Sequence, residues 1–288
     1  MRSINKIYNA QQVNMGGILL DQALPLRGLD MVDPVLLIHH WKDTLKGNQL
    51  QKNVGVGPHP HRGFSPVTFI FKGGVHHRDS MGKDEIVYSG GTQWMNSGSG
   101  LVHSERPPQE LAEKGGEFEI IQFWINSPAK EKMKDPSYQP LSAEKTPMVK
   151  STDGKIEVGV VNGTFKNVKG PIDASSPLTI LRMEGKAGGK MTLPISKTYN
   201  CLFYLLDGTA KINGSQLTNK QMAVFNNDDE NIDVEFSANS RAIVLAGQPI
   251  NEKVATYGPF VMNTQTEIMT AMHDYQNGKM GVLHEKFD

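Results

Sequence analysis

VTFIFKGGVHH, residues 67 to 77, is a run of β-branched and aromatic residues that breaks at Gly73-Gly74 and then resumes. LFYLLDGTAKI, residues 202 to 212, repeats that strand, turn, strand pattern 135 residues later. Similar runs surround both copies. VLLIHHW from Val35, SPVTFIF from Ser65, EIVYS from Glu85, TQWMN from Thr92 and EFEIIQFWI from Glu117 read as strands in the first half. KIEVGVV, LTILRME, NCLFYLLDGTAKING, QMAVFN, NIDVEFS and RAIVLAGQP do so in the second. Gly73-Gly74, Asp207-Gly208 and Asn213-Gly214 are short glycine turns of the kind that join antiparallel strands. The expectation is an all-β chain, a mainly antiparallel sandwich or barrel present twice.

A length of 288 residues suits two domains, each large enough to bury a core. From Asn126 to Lys155 the strand periodicity gives way to lysine, proline and serine, as in SPAKEKMKDPSYQPLSAEKTP. The expected division is therefore a first domain over residues 1–126, a linker over 127–154 and a second domain over 155–288. Near the end, Thr264 followed by Glu267 is a capping-box signal, and Ile268, Met272 and Tyr275 share one helical face before Gly278. One short C-terminal helix is expected.

Lysine plus arginine equals aspartate plus glutamate at 30 each, so no global field draws the chain to nucleic acid or an anionic membrane. The lone Cys201 lies in the apolar run CLFYLL and reads as a core thiol. The opening MRSINKIYNAQQ has no apolar h-region, and the aliphatic run VLLI is far too short to span a bilayer. A soluble protein of a reducing, cytoplasmic compartment is expected.

Two frames carry chemistry: His59-Pro-His61 and His103-Ser-Glu105. Residues i and i+2 of a strand point to one face, so each frame aims two metal-binding side chains the same way. Together they offer three imidazoles and one carboxylate to a single divalent first-row ion, with room for further ligands if the ion is six-coordinate. The frames lie a few strands apart, which lets neighbouring barrel strands face one interior point. An offset of 135 carries His59 and His61 onto Pro194 and Ser196, and no histidine occurs between His103 and His273. One metal site is expected, in the first half only.

The fragments HPHRGF, HRDSMG, QWMNSGSGLVHSE and YGPFVMNT, with their spacing, closely resemble those of pirins, which are bicupins. The resemblance covers most of the chain. It implies two stacked antiparallel cupin β-barrels with one iron in the N-terminal barrel, held by His59, His61, His103 and Glu105. It further implies one of two functions: oxidation of quercetin, or iron-dependent partnership with a transcription factor. The glutamate that usually follows the cupin HxH pair by about four residues is replaced here by Ser65. With Glu105 as the one anion, a divalent ion keeps a formal charge near +1 and attracts a deprotonated ligand such as an enolate or flavonolate.

The expected activity is that of an iron-dependent, quercetin 2,3-dioxygenase-like enzyme acting on a small planar phenol, with Glu105 as ligand, base or both in turn. The alternative is a non-enzymatic redox sensor whose iron state alters a surface for a protein partner. A site of three nitrogens and one oxygen also suits manganese, cobalt, nickel, copper or zinc. The remaining histidines have structural readings. His76 and His77 are adjacent on a strand and point to opposite faces, as do His39 and His40, while His273 and His284 fall outside both barrels. Gln122, the one uncharged polar residue in EIIQFWI, reads first as an amide satisfied by backbone and second as one that steers a ligand or a metal-bound water. Gly98-Ser-Gly100 lacks the lysine and helix of a phosphate loop and reads as a tight turn.

Overall fold

The computed structural model describes residues 1–287. Strands dominate it. The exceptions among the described residues are two α-helices, Gln109–Lys114 and Gln265–Gln276, and two short 3-10 turns. No helix among these residues is long and apolar enough to cross a membrane.

Contacts divide the chain into two compact units, and the division is not linear. One unit joins Met1–His39 to Glu144–Ile250; the other joins His40–Ala143 to the segment from Asn251 onward. Relative to the expected domains, the two chain ends are exchanged. Strand pairing shows this for the first strand. Ile4–Asn9 adds to the edge of the unit formed by the second half, with Ile7 opposite Ala223. Two stretches of the expected linker are also built into sheets: Ser137–Leu141 pairs with Thr92–Asn96, and Met148–Lys150 pairs with Ile156–Asn162. Both are terminal strands of their sheets. Lysine and proline are typical of edge strands, where they discourage further pairing, so a composition that resembles a linker also describes an edge.

Two seven-stranded sheets and two four-stranded sheets hold most of the strands, and the four-stranded sheets share an order. In the unit holding the histidine frames it runs Val56–His61, Leu101–Arg106, Gly74–Asp79, Asp84–Tyr88. In the other it runs Gly189–Pro194, Asn231–Phe236, Thr209–Ile212, Ser215–Thr218. The duplication read from the sequence is thus present in the topology.

The deciding stretch is not a hairpin, however. Phe64–Lys72 pairs with Gly116–Asn126 and Thr92–Asn96, whereas Gly74–Asp79 pairs with Leu101–Arg106 and Asp84–Tyr88. Gly73 is a corner that passes the chain from one sheet to the other. Asp207-Gly208 does the same between Asn200–Asp207 and Thr209–Ile212. Both corner glycines have positive φ, 73° and 87°, a conformation costly for other residues. Asn213-Gly214 is a true hairpin turn, closing Ile212 onto Ser215.

The unit built from the second half has a continuous apolar interior that includes Met191, Leu193, Phe203, Phe225, Val234 and Phe236. Cys201 lies in this core, and burial pushes its thiol up to about 12. The unit with the histidine frames has a smaller apolar cluster of Ile70, Val75, Val87, Phe118 and Ile120. The C-terminal helix begins at the expected capping box: Thr264 accepts from the Glu267 backbone, and Glu267 accepts from the Thr264 N–H. Its buried face is centred on Ile268 and Ala271 rather than reaching Tyr275, which is 40% exposed. That face packs with Val102, Phe260, Met262 and Met280, which assigns the helix to the histidine-bearing unit.

Candidate metal centre

The two histidine frames meet because their strands pair. Val56–His61 and Leu101–Arg106 are antiparallel neighbours with His59 directly opposite His103. Ring centroids lie 4.8 Å apart for His59 and His61, 4.3 Å for His59 and His103, and 4.9 Å for His61 and His103. Their potential ligand atoms all fall within 4.8 Å of one another. His61 and His103 are buried and His59 is half-buried.

The hydrogen bonds of the outer nitrogens leave the inner ones free. His59 Nδ1 donates to the Gly57 carbonyl at 2.8 Å, and His61 Nδ1 donates to the Pro259 carbonyl at 3.2 Å. A carbonyl only accepts, so each ring carries its proton on Nδ1 and presents the lone pair of Nε2. Nε2 of His61 and Nε2 of His103 are both buried with no hydrogen-bond partner. A buried unpaired polar atom costs about 1–3 kcal/mol, and a cation bound by a convergent set of imidazole lone pairs would relieve that cost. Burial, together with neighbouring rings, holds His61 and His103 well below the ordinary histidine range, which keeps their lone pairs available at neutral pH.

Glu105 stands apart from this group. The set of mutually close ligand atoms contains the three histidines without it. Glu105 pairs opposite Val56, the extra residue lying in the Val56–His59 stretch, while Leu101–Arg106 keeps a regular register against Gly74–Asp79. Its carboxylate instead accepts from Thr68 Oγ1 at 3.1 Å and from Gln122 Nε2 at 2.7 Å. Trp124 Nε1 donates to Gln122 Oε1 at 3.2 Å, fixing which end of the amide faces Glu105. Gln122 is thus engaged by side chains of the site rather than by backbone.

Residues remote in sequence frame the triad. Pro259 lies between the short strands Ala255–Tyr257 and Phe260–Met262 and supplies the acceptor for His61. Arg62, next to His61, is buried and bonds Asp274 of the C-terminal helix at 2.9 Å. Lys132, in the expected linker, is fully buried and donates to the carbonyls of Gly63 and Val261 and to Asn126. Burial lowers its ammonium to about 8. Gly63 is required there: a Cβ would sit 2.0 Å from the Val261 carbonyl oxygen. None of these partners has a local ligand signature, so the sequence reading did not find them.

The other histidines separate. His39 bonds Gln22 and His40 forms a buried pair with Glu119. His76 lies between Gln51 and Asp84. His77, its neighbour on the opposite face, points at the triad: its Nδ1 is 3.4 Å from His103 Nδ1 and its Nε2 is 2.9 Å from Asp79. The adjacent pair of histidines was a usable signal, since one of two consecutive strand residues must face inward.

Fold and site together define a two-barrel protein of the cupin kind, one unit of which gathers three histidines able to hold a metal ion. Two family models match the chain, one described as pirin over residues 18–125 and one as the pirin C-terminal cupin domain over residues 180–281. A pirin-like protein of Arabidopsis thaliana is 31% identical, covering 99% of this chain and 87% of its own length. The chain belongs to the pirin family. A crystal structure of quercetin 2,3-dioxygenase from Acinetobacter baumannii superposes with a TM-score of 0.93 at 32% identity, covering 99% of this chain and 100% of that one. The bacterial pirin YhhW of Escherichia coli, solved in complex with nickel(II), shares the fold with a TM-score of 0.67 at 19% identity, over 85% of this chain and 100% of that one.

Proposed function

We propose that this chain is an iron-dependent dioxygenase of the quercetin 2,3-dioxygenase type, acting on flavonol-like substrates. The observation that carries the reading is the convergence of three histidines with two Nε2 atoms buried and unpartnered. The likeness to the Acinetobacter baumannii quercetin 2,3-dioxygenase supports the substrate class. Iron, when bound, supplies Lewis acidity and a template that brings a phenolate and dioxygen together.

His59, His61 and His103 hold the ion. Glu105 serves as the carboxylate partner of the centre, completing the ligand set in one state and accepting the proton of the substrate's acidic hydroxyl in another. Thr68 and Gln122 hold one carboxylate oxygen each and so orient Glu105 for that transfer. Trp124, half-buried beside Gln122 and 4.4 Å from the Phe64 ring, offers an aromatic wall to a planar ligand. His61 and His103 form the dry side of the site.

The test is anaerobic iron loading followed by quercetin turnover under dioxygen, with iron measured in the same samples. Wild type should turn over. Glu105→Gln should retain iron yet lose most activity, because an amide cannot take a proton near neutral pH. His103→Ala should lose iron and activity together. A fully iron-loaded wild type with no turnover contradicts the enzymatic reading and favours an iron-dependent protein partner instead.

A further inference from the structure

We propose that Asp79 and His77 form a positioning relay that fixes the tautomer of His103 and thereby keeps its Nε2 lone pair open toward the metal. The inference rests on the triad being a metal site. Neither residue touches the position an ion would take, so both act through His103.

The relay follows from which atoms can donate. Asp79 is 4% exposed, and its two oxygens have separate tasks. Oδ1 accepts from the backbone N–H of Met81 and of Lys83, at 2.9 and 3.0 Å. Oδ2 faces His77 Nε2 at 2.9 Å. A carboxylate only accepts, so the proton of that contact belongs to His77 Nε2, and in the neutral ring Nδ1 is then an acceptor. Opposite it, at 3.4 Å, is His103 Nδ1. Two acceptors facing each other gain nothing, so His103 carries its proton on Nδ1. Nε2 of His103 is left bare, and it is indeed buried without a partner. His103 ends in the same tautomer as His59 and His61, which reach it through the carbonyls of Gly57 and Pro259. The strand register supports the arrangement: His103 lies opposite Asp79 and Glu105 opposite His77. Tyr138 stacks on the His77 ring at 4.0 Å and 5° between planes, which holds the ring from its face.

Asp79→Asn separates this role from plain structural support. The carboxamide oxygen can keep the turn contacts to Met81 and Lys83, which places its N–H₂ against His77 Nε2. His77 must then carry its proton on Nδ1 and point it at His103, whose own proton is driven to Nε2, where it blocks the metal. His77→Phe keeps the stack on Tyr138 and merely releases His103. The polarity argument therefore makes the milder-looking Asp79→Asn the more damaging change for metal binding.

The experiment has two readouts on the full chain. In metal-free protein at neutral pH, side-chain ¹⁵N shifts report each histidine tautomer; nickel(II) titration calorimetry reports affinity. The wild type should show His103 protonated on Nδ1, and Asp79→Asn should show it on Nε2. Nickel affinity should fall about 10–100-fold in Asp79→Asn, the range for loss of an outer partner of a metal-bound histidine, and less in His77→Phe. A wild-type His103 protonated on Nε2 overturns the relay, whether or not either variant folds. So does an affinity that falls more in His77→Phe than in Asp79→Asn. Should the tautomers behave as stated while nickel binding survives His59→Ala, the relay stands and the assignment of the metal to the triad fails.

Discussion

The two units use one frame for opposite purposes. In one, the paired strands Val56–His61 and Leu101–Arg106 present His59, His61 and His103. In the other, Gly189–Pro194 and Asn231–Phe236 take the same places in a sheet of the same order, and their inward positions are Met191, Leu193, Ile232 and Val234. Within that pair of strands the buried residues Met191 and Val234 lie opposite each other, as do Leu193 and Ile232. Burying an apolar side chain of this size stabilises by roughly 1.5–3 kcal/mol, whereas each unpartnered imidazole nitrogen costs about 1–3 kcal/mol. One copy therefore consolidates a core, and the other gives up stability on the corresponding strands to hold a ligand.

Breaking the centre should have the largest effect. His61→Ala is expected to abolish tight metal binding while leaving the circular dichroism of the chain unchanged, because neither unit relies on an ion for its apolar core. Unfolding of that variant, or of wild type on chelation, would remove the distinction between the units.

The apolar copy should respond in the opposite way. Phe203 is fully buried in it, and Phe203→Ala is expected to lower stability by about 3–5 kcal/mol in denaturant unfolding without altering metal content. Leu193→His sharpens the contrast by placing an imidazole at an inward position. It should destabilise by about 2–5 kcal/mol and recruit no second ion, since a single imidazole in an apolar cluster provides no set of convergent ligands.

Acid should act gradually on the metal-free protein. Burial holds His61 and His103 well below 6.5 in the folded state, and burial lowers His39 to about 4. The unfolded chain thus binds more protons than the folded one below pH 6.5, and stability is lost as pH falls from there. Above that value the contribution is present in full. Unfolding midpoints of metal-free protein measured from pH 8 to pH 5 should decline only in the lower half of the range, and a rise on acidification would contradict the buried neutral histidines.

Much of this was legible in the chain, for reasons that are local. A run such as VTFIFK can only be a buried strand, and His59-Pro-His61 with His103-Ser-Glu105 marks two strands that face one point. What was hidden is non-local. Gly73 announces a turn but cannot say whether the next strand pairs with the last or crosses to another sheet. The lysines and prolines of 127–154 describe an edge strand as well as a linker, and nothing near Ile4–Asn9 says that it pairs with Gln221–Phe225. The 135-residue offset landed on Pro194 and Ser196, which are exposed; the inward residues are Met191 and Leu193, because insertions between strands change the register without changing the fold. Glu105 bonds Thr68 and Gln122, which stand on other strands, and no local pattern around His103-Ser-Glu105 encodes those partners. The Pro259 carbonyl is backbone, and backbone leaves no mark in side-chain spacing.

Metal stoichiometry tests the contrast between the units most directly. Wild-type protein loaded with a divalent ion, freed of excess and measured by elemental analysis against protein concentration, should hold one ion per chain, and the double variant His59→Ala/His61→Ala should hold none. Two tightly bound ions per chain, or one that survives in the double variant, would contradict the assignment of the site to the histidine-bearing unit alone.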